Sequence, residues 1–314
     1  MPDHPSRELA LFFEKLRFQR QMSQEEFATD IVSLRQYRRY LNGDCEIPYR
    51  VLNQFSEKLG FKSEHVILEL ESERLFETRT INAFYNAVAN QDMIEADRIL
   101  KDIDKRYILD KSNITVYEHA LNLYRYNQKK INLGQLIDHT KQLINYPKIL
   151  SNKTMSSAEL IILSSLLNYP DVEQRDGIVE KLNEVINNTV HIISGLNDRM
   201  TLLILFRLAK YTGAQKDFET TLNYCNKAIS YNQLQHMNYL LDYFYYYKAL
   251  CHYRLQEVDA YEHSVYQCYN ILEVSQNKSK KSKFKTLIEE DFKIDLDLFI
   301  INYTQKLLKK ASPN

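Results

Sequence analysis

"LRFQRQMSQEEFATDIVSLRQYRRYLNGDCEIPYRVLNQFSEKLG", residues 16–60, decides the fold. Ser23-Gln24-Glu25-Glu26 is a capping box: the Ser23 hydroxyl can accept from the Glu26 amide while the Glu26 carboxylate reaches back to the Ser23 amide. It starts a short helix running to Asp30. Ser33-Leu34-Arg35-Gln36 repeats that pattern and starts a third helix of about ten residues, which Gly43 stops after Asn42. Pro48 suits the first turn of a fourth helix, whose Val51, Leu52, Phe55 and Leu59 face inward before Gly60 ends it. Upstream, Leu9, Phe12, Phe13 and Leu16 follow the i, i+3, i+4, i+7 rule and give a first helix with one buried face.

On the third helix, at about 100° per residue, Leu34, Tyr37 and Leu41 share one narrow sector, and Arg35, Arg38, Arg39 and Asn42 share another that faces away. Two short helices joined by a tight turn, the second carrying outward arginines, have the geometry of a reader of the DNA major groove. The planar guanidinium fork pairs with guanine O6 and N7 or clamps phosphates, and Asn42 or Gln36 can read adenine or the backbone. A merely solvated charged face is the plain alternative.

The same stretch resembles the xenobiotic-response-element (XRE)/Cro-type helix-turn-helix, in which an "MSQEEFA" second helix precedes the recognition helix. The resemblance covers roughly residues 7–60 and implies that Gln24 contacts phosphate. It also implies that Arg35, Gln36, Arg38 and Arg39 face the groove, beside the capping Ser33. The inter-helix turn of that fold often carries Gly, and here it reads Asp30-Ile31-Val32-Ser33.

Beyond Gly60, Ser63 is positioned to cap a helix to about Glu77 carrying Val66, Ile67, Leu70 and Leu75. Paired amphipathic segments follow, the first members centred near Phe84, Leu121, Leu163, Phe206 and Tyr246, a spacing that suits helical-hairpin repeats. In residues 208–229, Ala209, Tyr211, Gly213 at a turn, Phe218 and Ala228 alternate small and aromatic. Ala249, Tyr253, Ala260 and Tyr266 do the same in 248–272. That alternation resembles tetratricopeptide repeats, without the usual Trp. Phe284, Ile288, Phe292, Leu296, Phe299, Tyr303 and Leu307 form one continuous stripe, read as a single last helix that closes the array, with a dimer contact as the alternative. Lys278 to Lys283 reads as a solvated loop, with a second nucleic-acid contact as its alternative.

Composition agrees. Gly and Pro number six each in 314 residues, roughly a third of the usual share of about 12%. No two glycines lie closer than 17 residues, so no Gly-rich phosphate loop exists and nucleotide-binding α/β enzymes are disfavoured. The cysteines at 45, 225, 251 and 268 include no CxxC and read as reduced, buried thiols. There is no HExxH, and Cys251-His252, His263 and Cys268 match no metal spacing. Glu289-Glu290-Asp291 with Asp295 and Asp297 reads as a solvent face, so no enzyme, cofactor or metal is expected. The apolar zones Ala158–Leu167 and Met200–Phe206 fall short of the roughly 18 residues of a membrane span. No secretory signal is apparent, which points to the cytoplasm. The expected fold class is all-α. It comprises a helix-turn-helix DNA-binding domain (1–62), a linker helix (63–78) and a regulatory and dimerisation domain (79–314), the last a right-handed α-solenoid of tetratricopeptide-like hairpins.

A Cro-type DNA reader followed by such repeats resembles the Rgg/PlcR-type (RRNPP) peptide-responsive transcription factors of quorum sensing. The resemblance implies a homodimer that binds double-stranded DNA and a short linear signalling peptide in the concave repeat face. An extended peptide has unpaired backbone amides, which Asn side chains and aromatic walls can serve. The candidates on first helices are Asn86, Asn122, Asn168, Arg207, Lys210, Asn238, Tyr239, Asp242, Tyr243 and Tyr246, with Arg207 or Lys210 for a peptide carboxylate. Two alternatives stay open: a repeat protein acting mainly on a protein partner, and a DNA regulator with no peptide ligand.

Overall fold

Residues Pro5–Gln19 form helix α1 in this computed structural model, which describes residues 5–105, 108, 110–187, 190–193, 198–275 and 277–311. Helices α2 (Gln24–Ala28), α3 (Leu34–Asn42) and α4 (Tyr49–Lys58) follow. The capping box of α2 is complete: Ser23 Oγ accepts from the Glu26 amide at 3.0 Å and Glu26 Oε2 from the Ser23 amide at 3.3 Å. That of α3 is half made. Ser33 Oγ accepts from the Gln36 amide at 3.1 Å, but the Gln36 side chain turns to Cys45 instead of back to Ser33. Asp30 takes the left-handed conformation (φ 67°) that this fold often gives to Gly, one of the few non-glycine residues suited to it.

Six buried aromatic rings, among the described residues, fill the head, Tyr40 among them. Phe27 stacks on Phe55 at 4.7 Å, Tyr37 meets both edge-on at 5.6 Å, and Phe12 and Phe13 close the cluster. The inner side of α3 is Tyr37 and Tyr40, both buried, with Leu34 and Leu41 only half-buried. Gly43 ends α3 at φ 78°, and the Asp44 amide reaches back to the Arg39 carbonyl at 2.9 Å. A Cβ at Gly43 would stand 3.0 Å from Arg7 Cδ in a backbone region costly to any side chain. Gly43→Ala is therefore expected to lower stability by about 1 kcal/mol, read as faster exchange of the α3 amides.

Helix α5 is one rod of 27 residues, Ser63–Ala89. Lys62, not Ser63, is its N-cap, and Ser63 lies buried inside the helix. Val66 and Leu70 enter the head core, whereas Ile67 and Leu75 are exposed. Farther along, Phe84 packs on Tyr117 and Tyr124. The expected linker helix and the first helix of the first repeat are thus continuous.

The chain divides into two compact units, 1–143 and 144–314. After α5, the first holds α6 (Met93–Asp102), α7 (Lys111–Asn127) and α8 (Leu133–Leu143). The second holds four helical pairs. These are α9 (Ser157–Ser165) with α10 (Arg175–Ile186), α11 (Asp198–Ala214) with α12 (Phe218–Leu234), α13 (Leu241–Arg254) with α14 (Val258–Val274), and α15 (Lys278–Phe292) with α16 (Leu296–Ala311). The expected repeat centres fall on α5, α7, α9, α11 and α13. Ala209, Ala228 and Ala249 are buried where helices cross. Two short strands not foreseen, β1 (Thr154–Ser156) and β2 (His191–Ile193), pair in parallel with Met155 opposite Ile192.

The hairpin turns explain the scarcity of glycine. Gln91, Lys216 and Gln256 are left-handed at φ 61°, 64° and 61°. The amides of the acids that follow, Asp92, Asp217 and Glu257, bond five residues back to Ala87, Thr212 and His252. Asp92 and Asp217 then cap α6 and α12. Gly213, expected at a turn, lies inside α11.

Two expectations at the end of the chain are corrected. The single last helix is two, broken at Lys293 in the left-handed conformation (φ 56°), and its apolar stripe folds over the break. Phe284, Ile288, Phe292 and Leu296 are buried in one cluster, with Phe299 packed against it. The lysine run 278–283 is not a loop but the first turns of α15, where Asn277 accepts from the Lys280 amide at 2.9 Å. Cys225, Cys251 and Cys268 are buried, but Cys45 is half-exposed.

Candidate functional site

The display of α3 depends on a carboxylate beneath it. Glu14 of α1 accepts from Arg17 at 2.6 and 2.8 Å, from the Tyr37 hydroxyl of α3 at 2.6 Å, and from the Gln24 amide of α2 at 2.8 Å. One side chain thereby ties three helices together. Burial raises the Glu14 pKa, but the hydrogen bonds from Arg17, Tyr37 and Gln24 outweigh it and hold the carboxyl below its ordinary value. Loss of water and the bond to that carboxylate push the Tyr37 phenol well up, so it stays a donor.

On the outer side, Arg35, Arg38, Arg39 and Asn42 are all exposed. None of the three arginines is ion-paired among the described residues, and the sole side-chain hydrogen bond they make is from Arg39 to Gln36 Oε1, at 3.3 Å. Gln36 is half-buried and donates to Cys45 Sγ at 3.2 Å, so its amide braces Arg39. Ser33 is exposed at the cap. Gln24, expected on phosphate, is half-buried with its amide turned inward to Glu14. The arrangement is a rigid helix with an uncompensated cationic face, able to bind an anionic polymer and to read base edges.

The repeat candidates scatter. In the first unit, Asn86 is exposed and Asn122 buried. In the second, Asn168, Arg207 and Lys210 come together: Lys210 Nζ donates to Asn168 Oδ1 at 3.1 Å. Loss of water lowers the Lys210 pKa, and the charges of Arg207 and Lys283 lower it further. An incoming carboxylate would relieve that repulsion. Asn238 is exposed, and Tyr239 is held through its backbone by Asn232 and lies beneath Arg199.

Asp242 and Tyr246 are engaged in packing. Asp242 is buried in an ion pair with Lys280, and the buried Tyr246 donates to Asp291. Tyr243 is half-buried between Phe206 and Phe284, edge-on to both at 5.1 and 4.8 Å.

Sequence reasoning missed three members of this face. Phe206 stacks on Tyr247 at 5.9 Å, and Lys283 adds a third charge near Lys210. Tyr247 and Lys210 border a cavity of about 680 Å³ whose walls include Ala209, Gly213 and Leu250, with Lys216 and Arg254 also lining it. An apolar floor with cationic groups suits a hydrophobic chain that carries an acid.

No protein-family model matches this sequence, and no curated protein matches it. Solved structures do match. ComR from Streptococcus thermophilus, solved in complex with DNA and its signalling peptide ComS, aligns at a TM-score of 0.53 and 12% identity, over 90% of this chain and 99% of its own. Bacillus thuringiensis PlcR in its apo form aligns at 0.52 and 14% identity, over 86% and 96%. The competence regulator ComR from Streptococcus vestibularis, with its cognate signalling peptide XIP, aligns at 0.51 and 12% identity, over 90% and 97%. At these identities the shared property is the fold, and in fold this all-α chain is similar to the regulators ComR and PlcR along nearly its whole length.

Proposed function

We propose that the chain is a sequence-specific DNA-binding transcriptional regulator, a homodimer in the cytoplasm, controlled by a short linear peptide. Residues 1–62 read DNA through α3, and residues 79–314 carry the ligand and dimer functions. It is not an enzyme. One observation carries the reading: three exposed arginines without ion pairs stand on a helix whose orientation Glu14 fixes from below. With 41 basic and 41 acidic residues the chain has no net charge, so DNA attraction is local to α3 and falls steeply with salt.

The ligand reading rests on the face built by Phe206, Tyr243, Tyr247, Arg207 and Lys210. A peptide acid placed between Arg207 and Lys210 gains charge-assisted bonds, and the aromatic rings give apolar side chains a wall. Regulation follows if the peptide prefers one arrangement of the repeats over another, since equal affinity for both shifts nothing. The test is calorimetry on peptides selected from a pool with free carboxy termini. Lys210→Ala is expected to weaken the best of them about tenfold or more, and amidation of the peptide carboxylate to do the same in the wild type but little in the variant. Unchanged affinity in both measurements would remove Lys210 from the site.

A further inference from the structure

The first unit holds a cleft of about 340 Å³ that neither the outer side of α3 nor the repeat face of the second unit uses. The last turn of α1, the middle of α5 and the connection that follows α6 enclose it. Ile81 and Ile108, both buried, and the half-buried Ile103 give it an apolar floor. Phe18 of α1 and Phe76 of α5 line it as well, each 69% exposed. Single exposed apolar residues are ordinary on a protein surface, but two open phenyl rings on different helices that border one apolar cleft of ligand size make a binding site.

The charges around the cleft select the ligand. Three carboxylates line it, those of Glu77, Asp102 and Asp104, against one ammonium among the described lining residues, that of Lys15. Glu77 is fixed in place by Asn113, whose side-chain amide donates to it at 2.7 Å. Asp102 has a loose ion pair, at 4.0 Å to Arg98, whose closer partner is Glu95 at 2.7 Å. It is also the last residue of α6, so the negative end of that helix dipole adds to the same side. An anion is repelled there, and a neutral apolar molecule leaves the carboxylates unserved. A cation on an aromatic frame meets both features, its ring against the phenyl rings and its charge on the carboxylates.

We propose that this cleft binds a small aryl-alkyl amine, with the aromatic part against Phe18 and Phe76 and the ammonium on Asp102 and Asp104. The proposal goes beyond the DNA and peptide functions and stands apart from them, since its residues serve neither. A bound amine touches α1 of the head and the connection after α6 at once, which gives the first unit a small-molecule input of its own. For a molecule that fills such a cleft, ordinary ligand efficiency sets the dissociation constant on the order of a hundred micromolar.

Calorimetric titration of the full chain with naphthylethylamine, and with the matched alcohol and carboxylic acid, tests it. The amine is expected to bind with that constant, the alcohol about tenfold more weakly, and the acid not measurably. Phe76→Ala is expected to weaken the amine about fivefold. Asp102→Asn with Asp104→Asn is expected to bring the amine down to the alcohol. All three positions are exposed, so circular dichroism should not change. Lys210→Ala, in the second unit, should leave the amine affinity as it is, and bound amine should slow hydrogen exchange in the last turn of α1 and at Ile103 together. An amine that binds no better than its alcohol, or equally well to the Phe76→Ala protein, would overturn the proposal. So would an affinity that falls as protein concentration rises, which would show a second copy covering the cleft instead.

Discussion

Arg38→Ala combined with Arg39→Ala is expected to lower affinity for a selected operator about a hundredfold or more, because each bidentate guanidinium contact to a base is worth about 1–3 kcal/mol of discrimination. Both residues are exposed and neither packs in the head core, so circular dichroism and the exchange of the α3 amides should not change. The two singles separate base reading from phosphate clamping. Removing a guanidinium that reads a base relaxes specificity at one operator position, whereas removing one that clamps a phosphate weakens all sequences alike and reduces the salt slope by about one. Gln36→Ala should mimic part of the Arg39 effect, since the Gln36 amide braces that guanidinium. Sequence-specific affinity retained in the double variant would show that α3 presents another side to DNA.

The second large effect is at Glu14. Glu14→Ala is expected to destabilise the head by about 3 kcal/mol, because it strands a buried guanidinium and a buried phenol at once. Arg17 is 8% exposed and Tyr37 1%, so water cannot replace the missing acceptor. Hydrogen exchange should quicken in α2 and α3 together, and operator affinity should fall although none of the side chains proposed to face DNA has changed. Glu14→Gln keeps an acceptor without the charge and should fall between. The pH dependence has a definite sign. The folded pKa lies below the ordinary 4.5, so the carboxylate stabilises the head above that value, and the stabilisation is lost as pH falls through the folded pKa. The wild-type head should therefore open more readily below about pH 4.5, and the Ala variant should lack this component of the response.

The head is legible in the sequence because its signals are local. Ser23 with Glu26, Ser33 and Gly43 act within four residues of their own position, and the structure realises each, apart from the reciprocal half of the Ser33 box. The Glu14 network is not legible, since its partners lie up to 23 residues away and meet only once three helices are packed. Glycine and proline are the usual signs of a turn, but here Gln91, Lys216 and Gln256 adopt the left-handed conformation, each directly before an acid. That pairing of a left-handed polar residue with an acid is the repeat signal the sequence does contain.

At the end of the chain one difference brings another. Lys293 breaks the last helix without a glycine to announce it, and the charge of the lysine run suggests a loop where α15 begins. With 278–283 outside any helix, nothing in the pattern indicates that α15 covers α13. Lys280 and Phe284 of α15 are what pair with Asp242 and pack on Tyr243 and Tyr246, drawing Asp242 and Tyr246 into the core and leaving Tyr243 half-buried. The parallel β pair joins segments more than 30 residues apart, a pairing no local pattern encodes.

The measurement that bears most directly on DNA reading by α3 is selection from a randomised duplex pool by the full-length protein, followed by affinity of the enriched duplex across a salt series. A single enriched motif, bound with a steep inverse dependence on salt and no longer bound by the Arg38→Ala, Arg39→Ala variant, is the predicted result. A pool that emerges with no sequence enriched over its input would contradict the account.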